Sequence, residues 1–508
     1  MQPIFRTWFN KGKSRIQRRL DRKQTPTTSG PLFTARNLDY EVSERASAIA
    51  PGGIGLIHLL VQKIGLPQAI DKHLHVLQIH LPYHESDHVL NLTYNALCNG
   101  TCLEDIELRR NNEAFLNALG APRIPDPTTA GDFCRRFGVG DHNDLQNAID
   151  EVRLKVWAGQ PYPFRQRATI DMDGTLVATT GACKAGMDIA YEGTWGYHPL
   201  VLTLAETGEV LRVVNRPANR PSHEGAAAQV DQAIWLCLQA NMRRIVLRGD
   251  TDFSQTEHLD RWDAVSQVRF VFGYDAKPNL IQNAEQLPAS AWQPLPRPAA
   301  YEVKTRPRQR PANVKERIVR ERQFDVLRLL SEEVAEFDYQ PTACSKSYRM
   351  IVLRKHISKE KGGQVLGTEV RYFFYLTNDR VWTPSEVVFE ANDRCNQENV
   401  LAQLHGLSAL HAPVNTLASN GAWMLMTSLA WTLKAWWALL LPITPGRHSA
   451  AHQTEKQRVL RLEFKTFVNT FVMLPCQIIR TGRTIVYRLL SWNPHLLTFF
   501  RLLTCLRE

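Results

Sequence analysis

The sequence predicts an α/β fold, a mixed sheet split by a strand-containing insertion and flanked by a helical N-terminal region and a helical C-terminal part. Three patterns predict it. Residues 50–160 carry apolar positions at helical spacing, as in IGLIHLLVQKIGL and DHVLNLTYNALCNG, and no strand pattern interrupts them. At Ala168 the period changes to two: Ala168, Ile170 and Met172 alternate with Thr169, Asp171 and Asp173, which marks a strand with two unlike faces. From Asn396 onward the helical spacing returns.

The elements follow in order. Residues 1–30 form a basic arm, since the first 24 hold eight Lys or Arg against one acid and lack the apolar stretch of a secretory signal. Residues 31–160 read as a helical DNA-binding region, with a helix cap expected at Thr128 or Thr129 before AGDFCRRF. In residues 161–276 the strand at Ala168 is followed by HPLVLTLAETGEVLRVVNRP, two strands joined by a turn at Glu206–Glu209, and by a helix over Glu224–Ala240. The strand RRIVLRGD ends in an acid, and a helix around Gln255–Ala264 and the strand RFVFGYD complete a β-β-β-α-β-α-β run. Residues 277–390 read as an insertion: a Pro, Ala and Gln-rich stretch, a block over Tyr301–Arg322 with eight basic residues and three acids, then the strands SYRMIVLRKH and VRYFFYLTND. Residues 391–445 return as helix to the unit that begins with residues 161–276, and 446–508 form the C-terminal helical region.

A length of 508 residues exceeds what one core fills, so roughly two to four folded units are expected. The formal charge of +11 favours a polyanionic partner, nucleic acid foremost. Nine scattered cysteines without a C-x-x-C pair read as free thiols of a reducing cytoplasm. The apolar stretch Ala422–Leu441 contains Lys434, which costs roughly 2.5–3.5 kcal/mol at a bilayer centre, so it reads as a buried helix and no membrane is expected.

Cutting and joining phosphodiesters requires an activated attacking oxygen and a stabilised leaving oxygen, which two metal ions roughly 3.5–4 Å apart provide. Such ions take hard oxygen ligands, and three acids from separate elements suffice for two Mg2+ ions, or Mn2+ in their place. Asp173 at the end of the first strand, Asp250 at the end of the fourth and Glu398 on the first helix after the insertion offer that set. Helical spacing puts Arg394, Glu398 and His405 on one face.

The stretches IDMDGTLVATTG, YEGTWGYHPLVLTLAETGE, VVNRPANRPSHEGAA and VLRGDTDFS resemble the group-1 DDE transposases of bacterial insertion sequences, over roughly Arg167–Tyr274 and more thinly through DRCNQENVLAQLHGL. The resemblance implies a ribonuclease-H-like catalytic domain whose first acid is Asp173 of the D-G-T turn, beside Asp171, and whose second is Asp250 rather than Asp252. It implies Glu398 as the third, on a helix where Arg394 keeps the family's place, Ala391 stands for a Tyr and His405 for a Lys. It further implies metal-dependent cleavage at terminal inverted repeats, attack of the freed 3′-hydroxyl on target DNA, and a homodimer or higher oligomer on double-stranded DNA. A cytoplasmic, nucleoid-associated bacterial setting goes with it.

Other residues carry binding expectations. Arg216, Arg220 and His223 are candidate phosphate contacts, Trp195 and Tyr197 can stack on an unpaired base, and Arg306, Arg308 and Arg310 lie in the block expected to track the DNA backbone. Arg394 and His405 complete the DNA-binding set. DMDGTL also matches the start of haloacid-dehalogenase-like phosphatases, but the central parallel strand of that fold is a near-continuous apolar run. A ribonuclease-H-like nuclease that hydrolyses without joining uses the same acids, and a non-catalytic DNA-binding derivative would lack one of them. His80, His84 and His88 recur every four residues, yet Pro82 breaks a helix through them, so they read as surface or cap histidines, and Cys98 and Cys102 as core thiols.

Overall fold

The computed structural model describes residues 10–18, 47–80, 82–297, 314–482 and 484–508. Most of the basic arm, with Arg306, Arg308 and Arg310, lies outside the described residues.

The helical N-terminal region comprises α1 (Ile54–Lys63), α2 (Leu66–His73), α3 (Glu85–Leu97), α4 (Pro127–Arg135) and α5 (Val139–Ala158), with shorter helices between α3 and α4. The cap of α4 is Asp126 rather than Thr128 or Thr129: its carboxylate accepts from the Thr129 amide at 2.9 Å. Pro127 supplies a preset φ at the first helical position, so the Asp-Pro pair starts the helix earlier than the threonines would. His84 caps α3, as expected of it, while His88 is buried with its ring stacked 4.3 Å from Phe133, a core position rather than a surface one.

The described strands of the centre form one nine-stranded sheet. Its principal members are β1 (Ala168–Gly174), β2 (Leu200–Leu204), β3 (Glu209–Val214), β4 (Ile245–Gly249), β5 (Val268–Tyr274), β6 (Asp325–Tyr339), β7 (Tyr348–Lys361) and β8 (Gln364–Thr377). They lie in the order β6-β7-β8-β5-β4-β1-β2-β3, with Gln293–Pro294 outside β6. Strands β1, β4 and β5 run parallel, while β2 and β3 continue the sheet antiparallel beyond β1. The helix α6 (Ala226–Gln239) connects β3 to β4, which completes the alternation read from the sequence.

The insertion strands do not fold apart from this sheet. β8 pairs antiparallel with β5 through Phe374–Tyr274 to Thr377–Val271, so the hairpin of β7 and β8 and the long β6 extend the same layer. Strand β6 has no counterpart in the sequence reading. Its outer half carries exposed Leu327, Leu329 and Leu330 among charged residues, so it lacks the one-sided alternation of a half-buried strand, and pairing with β7 defines it.

After the sheet come α7 (Pro384–Asn392), α8 (Cys395–Gly406), α9 (Leu417–Leu439), α10 (Ser449–Leu460) and α11 (Leu496–Arg507). Helix α9 is the apolar stretch that contains Lys434, and it is buried along nearly its whole length. The Lys434 ammonium donates to the Leu460 carbonyl at 2.7 Å, and burial lowers its pKa to about 7. Among the described residues no helix is long and apolar enough to cross a membrane. The two ends of the chain meet: Ala48–Ile49 pairs with Cys476–Gln477, and a Cβ on Gly53 would stand 1.8 Å from the Phe471 carbonyl oxygen, an approach that only glycine permits. The larger apolar cluster accordingly runs from Ile49 to Leu506 through sheet and helices alike.

One buried carboxylate ties these layers. Glu209, fully buried at the start of β3, accepts from the indoles of Trp157 on α5 at 3.0 Å and Trp436 on α9 at 2.7 Å, from Arg153 at 3.3 Å and from the Thr207 hydroxyl at 2.7 Å. Glu209→Ala leaves two buried indoles without their acceptor and takes from Arg153 one of its partners, and is expected to lower stability by about 3–5 kcal/mol in denaturant unfolding of the full chain. A loss below about 1 kcal/mol would show that the layers are held by other contacts.

Candidate active site

The parallel pairing of β1 with β4 brings their carboxyl ends together. In register, Asp171 stands opposite Arg248, and the period of two carries both strands on to Asp173 and Asp250, just past the pairing, on the same side. The inner pair is a two-point salt bridge: Arg248 Nε donates to Asp171 Oδ1 at 2.6 Å and Nη2 to Oδ2 at 2.8 Å, with both side chains buried. The remaining arm of Arg248 reaches Glu390 on α7, donating to its carboxylate at 2.9 Å and its carbonyl at 3.0 Å. Arg167 pairs with the same carboxylate. Asp171 and Glu390 are thus spent on arginines and are not free acids.

One step outward the pattern repeats with different partners. Arg394, at the start of α8, donates from Nη1 to Asp173 Oδ2 at 2.9 Å and holds Nη2 at 4.0 Å from Asp250 Oδ2. Asp173 also accepts from the Gly174 amide at 2.9 Å, and Asp250 from the Asp252 amide at 3.0 Å. Burial raises both carboxyl pKa values above the usual aspartate range. The charge of Asp250 adds to the rise at Asp173, that of Asp252 to the rise at Asp250, and Arg394 opposes both.

Helix α8 lies across this end of the sheet. Gln397 donates to the Val201 carbonyl of β2 at 2.9 Å, and His405 Nε2 meets the Thr175 hydroxyl at 3.1 Å, two residues past Asp173. Glu398 sits between Arg394 and His405 on the helix, about 40° from the first and 20° from the second around the axis, and its side chain is exposed. Among the described residues no three His, Cys, Asp or Glu side chains stand together as a metal cluster. The two aspartates therefore meet on one guanidinium, while Glu398 lies one turn along α8 from Arg394 with its side chain exposed.

The other expected contacts divide. Trp195 is half exposed on the central strand of a small three-stranded sheet, but Tyr197 is fully buried and its hydroxyl donates to the Ala185 carbonyl at 3.0 Å, so its ring is a core element with no face for a base. Arg216 is buried too: Nε donates to the His198 carbonyl and Nη1 to the carbonyls of Pro221, Ser222 and Glu224. Burial draws its pKa down to about 10, and this guanidinium braces the loop instead of facing phosphate. Arg220 remains exposed beside Glu224 at 3.5 Å, and His223 is half-buried at the turn into α6. The sequence reading missed Arg248 and Glu390. One signal was present for Arg248: the two-residue step of R-G-D repeats that of D-M-D on the neighbouring strand.

A family profile described as transposase DDE domain group 1 matches residues 46–507. No curated protein matches the chain. Among solved structures, the chain is similar at 9% identity to a piggyBac transposase in a synaptic complex with hairpin DNA, over 84% of each chain with a TM-score of 0.35, a likeness too slight to carry an argument.

The electrostatics set a direction for titration. Since Arg394, ahead of the Gly174 amide, is the group that most lowers the Asp173 pKa, Arg394→Ala is expected to move the Asp173 carboxyl titration to still higher pH, read by carbon NMR of protein labelled at aspartate carboxyls. An unchanged or lower midpoint would mean that the ion pair does not persist in solution.

Proposed function

The chain belongs to the transposase DDE domain group 1 family, and we propose that it is a DNA transposase that cuts at the terminal inverted repeats of an insertion sequence and joins the freed ends to target DNA. Asp173, Asp250 and Glu398 are its catalytic acids. The observation that carries the reading is the meeting of two strand-end carboxylates on a single guanidinium, Arg394 Nη1 at 2.9 Å from Asp173 and Nη2 at 4.0 Å from Asp250. The strand order β3-β2-β1-β4-β5, with β2 antiparallel to its neighbours β1 and β3 and with β4 and β5 parallel to β1, supports a ribonuclease-H-like core.

The two converging carboxylates of Asp173 and Asp250 are the hard oxygen donors that a divalent cation takes. The Asp173 and Asp250 oxygens face one positive charge already, and Glu398 lies one helical turn beyond Arg394 on the same face. Two Mg2+ ions, with Mn2+ as a substitute, supply charge stabilisation to the attacking and leaving oxygens when bound. The chain's own residues provide the rest. The strand ends fix the two aspartates, the raised pKa values keep their affinity for a cation dependent on pH, and α8 brings the third acid. Released from the aspartates, Arg394 becomes a donor for a phosphate beside the scissile bond, a geometry for which a guanidinium is suited. Arg220, His223, His405 and the basic block with Arg306, Arg308 and Arg310 extend that contact along double-stranded DNA, the half-exposed Trp195 stacks on an unpaired base, and a homodimer or larger assembly brings two ends together.

Two outcomes test this reading. Asp173→Ala, Asp250→Ala and Glu398→Ala are each expected to reduce cleavage of an inverted-repeat end by more than about a thousandfold, the scale of losing one member of a group that acts as a unit. End binding in a gel-shift assay should survive; a variant that still cuts removes its residue from the site. Binding of the wild-type chain should weaken linearly in log–log salt titration, with a slope of about −0.9 for each phosphate neutralised. A flat response would contradict the assignment of the basic residues to the backbone.

A further inference from the structure

Beneath the two catalytic aspartates lies a second layer built on the same two strands and on the helix that precedes α8. Strand β1 contributes Asp171 below Asp173, β4 contributes Arg248 below Asp250, and α7 contributes Glu390, four residues before Arg394 and eight before Glu398. One guanidinium joins all three: Arg248 gives two bonds to Asp171, at 2.6 and 2.8 Å, and two to Glu390, to its carboxylate at 2.9 Å and its carbonyl at 3.0 Å. Side-chain exposures of 4% for Arg248, 1% for Asp171 and 11% for Glu390 put the layer out of water.

A buried ion pair is seldom kept for stability, because apolar side chains of equal volume do as well or better. What a guanidinium offers and an apolar cluster does not is fixed direction, and here the direction is shared among the carriers of the three acids. The backbone between the layers has no slack. A Cβ on Gly249, between Arg248 and Asp250, would lie 2.6 Å from Phe253 Cβ and 3.3 Å from Met172 Cγ, and Met172 is the residue between Asp171 and Asp173. On the other side, a Cβ on Gly273 of β5 would lie 3.0 Å from the Thr251 amide nitrogen. A shift of Arg248 is therefore passed to Asp250 instead of being absorbed.

We infer that Asp171, Arg248 and Glu390 are positioning residues that set the spacing of Asp173, Asp250 and Glu398 for divalent-cation binding. This rests on the metal-binding reading of the triad. None of the three would touch metal or DNA. They act through two residues of strand on each side and through the α7–α8 junction, and a metal site tolerates displacements of only about 0.2 Å.

The test is Mn2+ affinity of the full-length chain, followed by the electron paramagnetic resonance of free Mn2+, with no DNA present. Arg248→Lys, Glu390→Gln and Asp171→Asn should each weaken binding by about tenfold or more, the scale of losing an outer partner of a metal ligand. Glu209→Gln, a buried carboxylate change outside the layer, should lower the unfolding midpoint and leave Mn2+ affinity within about twofold. Should Asp171→Asn fail to fold, Glu390→Gln at the partly open rim of the layer decides. Binding within about twofold of wild type in folded Arg248→Lys and Glu390→Gln overturns the inference, as does an equal loss in Glu209→Gln. Asp173→Ala separates the two levels: if it binds Mn2+ as wild type does, the metal reading fails and takes this inference with it. If it alone loses binding, only the positioning role falls.

Discussion

The parallel contact between β1 and β4 is the constraint on which the site depends. Two strands that run the same way present their carboxyl ends at one edge, and there the acids Asp173 and Asp250 lie side by side. A slip of one residue would turn one of them to the opposite face. The Asp171–Arg248 bridge, with its bonds of 2.6 and 2.8 Å, opposes that slip, because a guanidinium engaged at two points tolerates little change in direction. The same side chain extends to Glu390, so the register of the sheet and the placement of the late helices follow from one group.

Two carboxylates brought this close repel one another, and burial adds to the cost of keeping both charged. Arg394 answers both effects with a single charge. A cation serving in its place would bind where the protein has already met the cost of converging the acids, which is how pre-organisation favours a ligand. Glu398 is exposed one turn along α8 from Arg394.

Much of this was legible in the sequence, and the failures have identifiable causes. The alternation of Ala168, Ile170 and Met172 with the polar positions assigned Asp171 and Asp173 to one face, and the structure bears this out through their arginine partners. The order of strands and helices from Ala168 to Tyr274 was likewise readable, because each element carries its own period. Side chains whose surroundings come from distant segments were not. Tyr197 and Arg216 look like surface groups in Gly- and Pro-rich stretches, yet Ala185, Asn420 and the carbonyls of a turn enclose them. Arg248 sits in an apolar run that says nothing of its partner 142 residues later. Strand β6 escaped because charges on both faces erase the period of two, and the Asp126 cap because two threonines nearby satisfied the same rule.

The central claim, that Asp173 and Asp250 jointly hold a divalent cation at the point where Arg394 now balances them, is tested most directly by anomalous diffraction from crystals of the full chain soaked in Mn2+. The account predicts a Mn2+ peak within ligand distance of a carboxylate oxygen of each aspartate, with the Arg394 guanidinium turned away. Mn2+ found elsewhere, or Arg394 still bridging the two acids at saturating Mn2+, would contradict it.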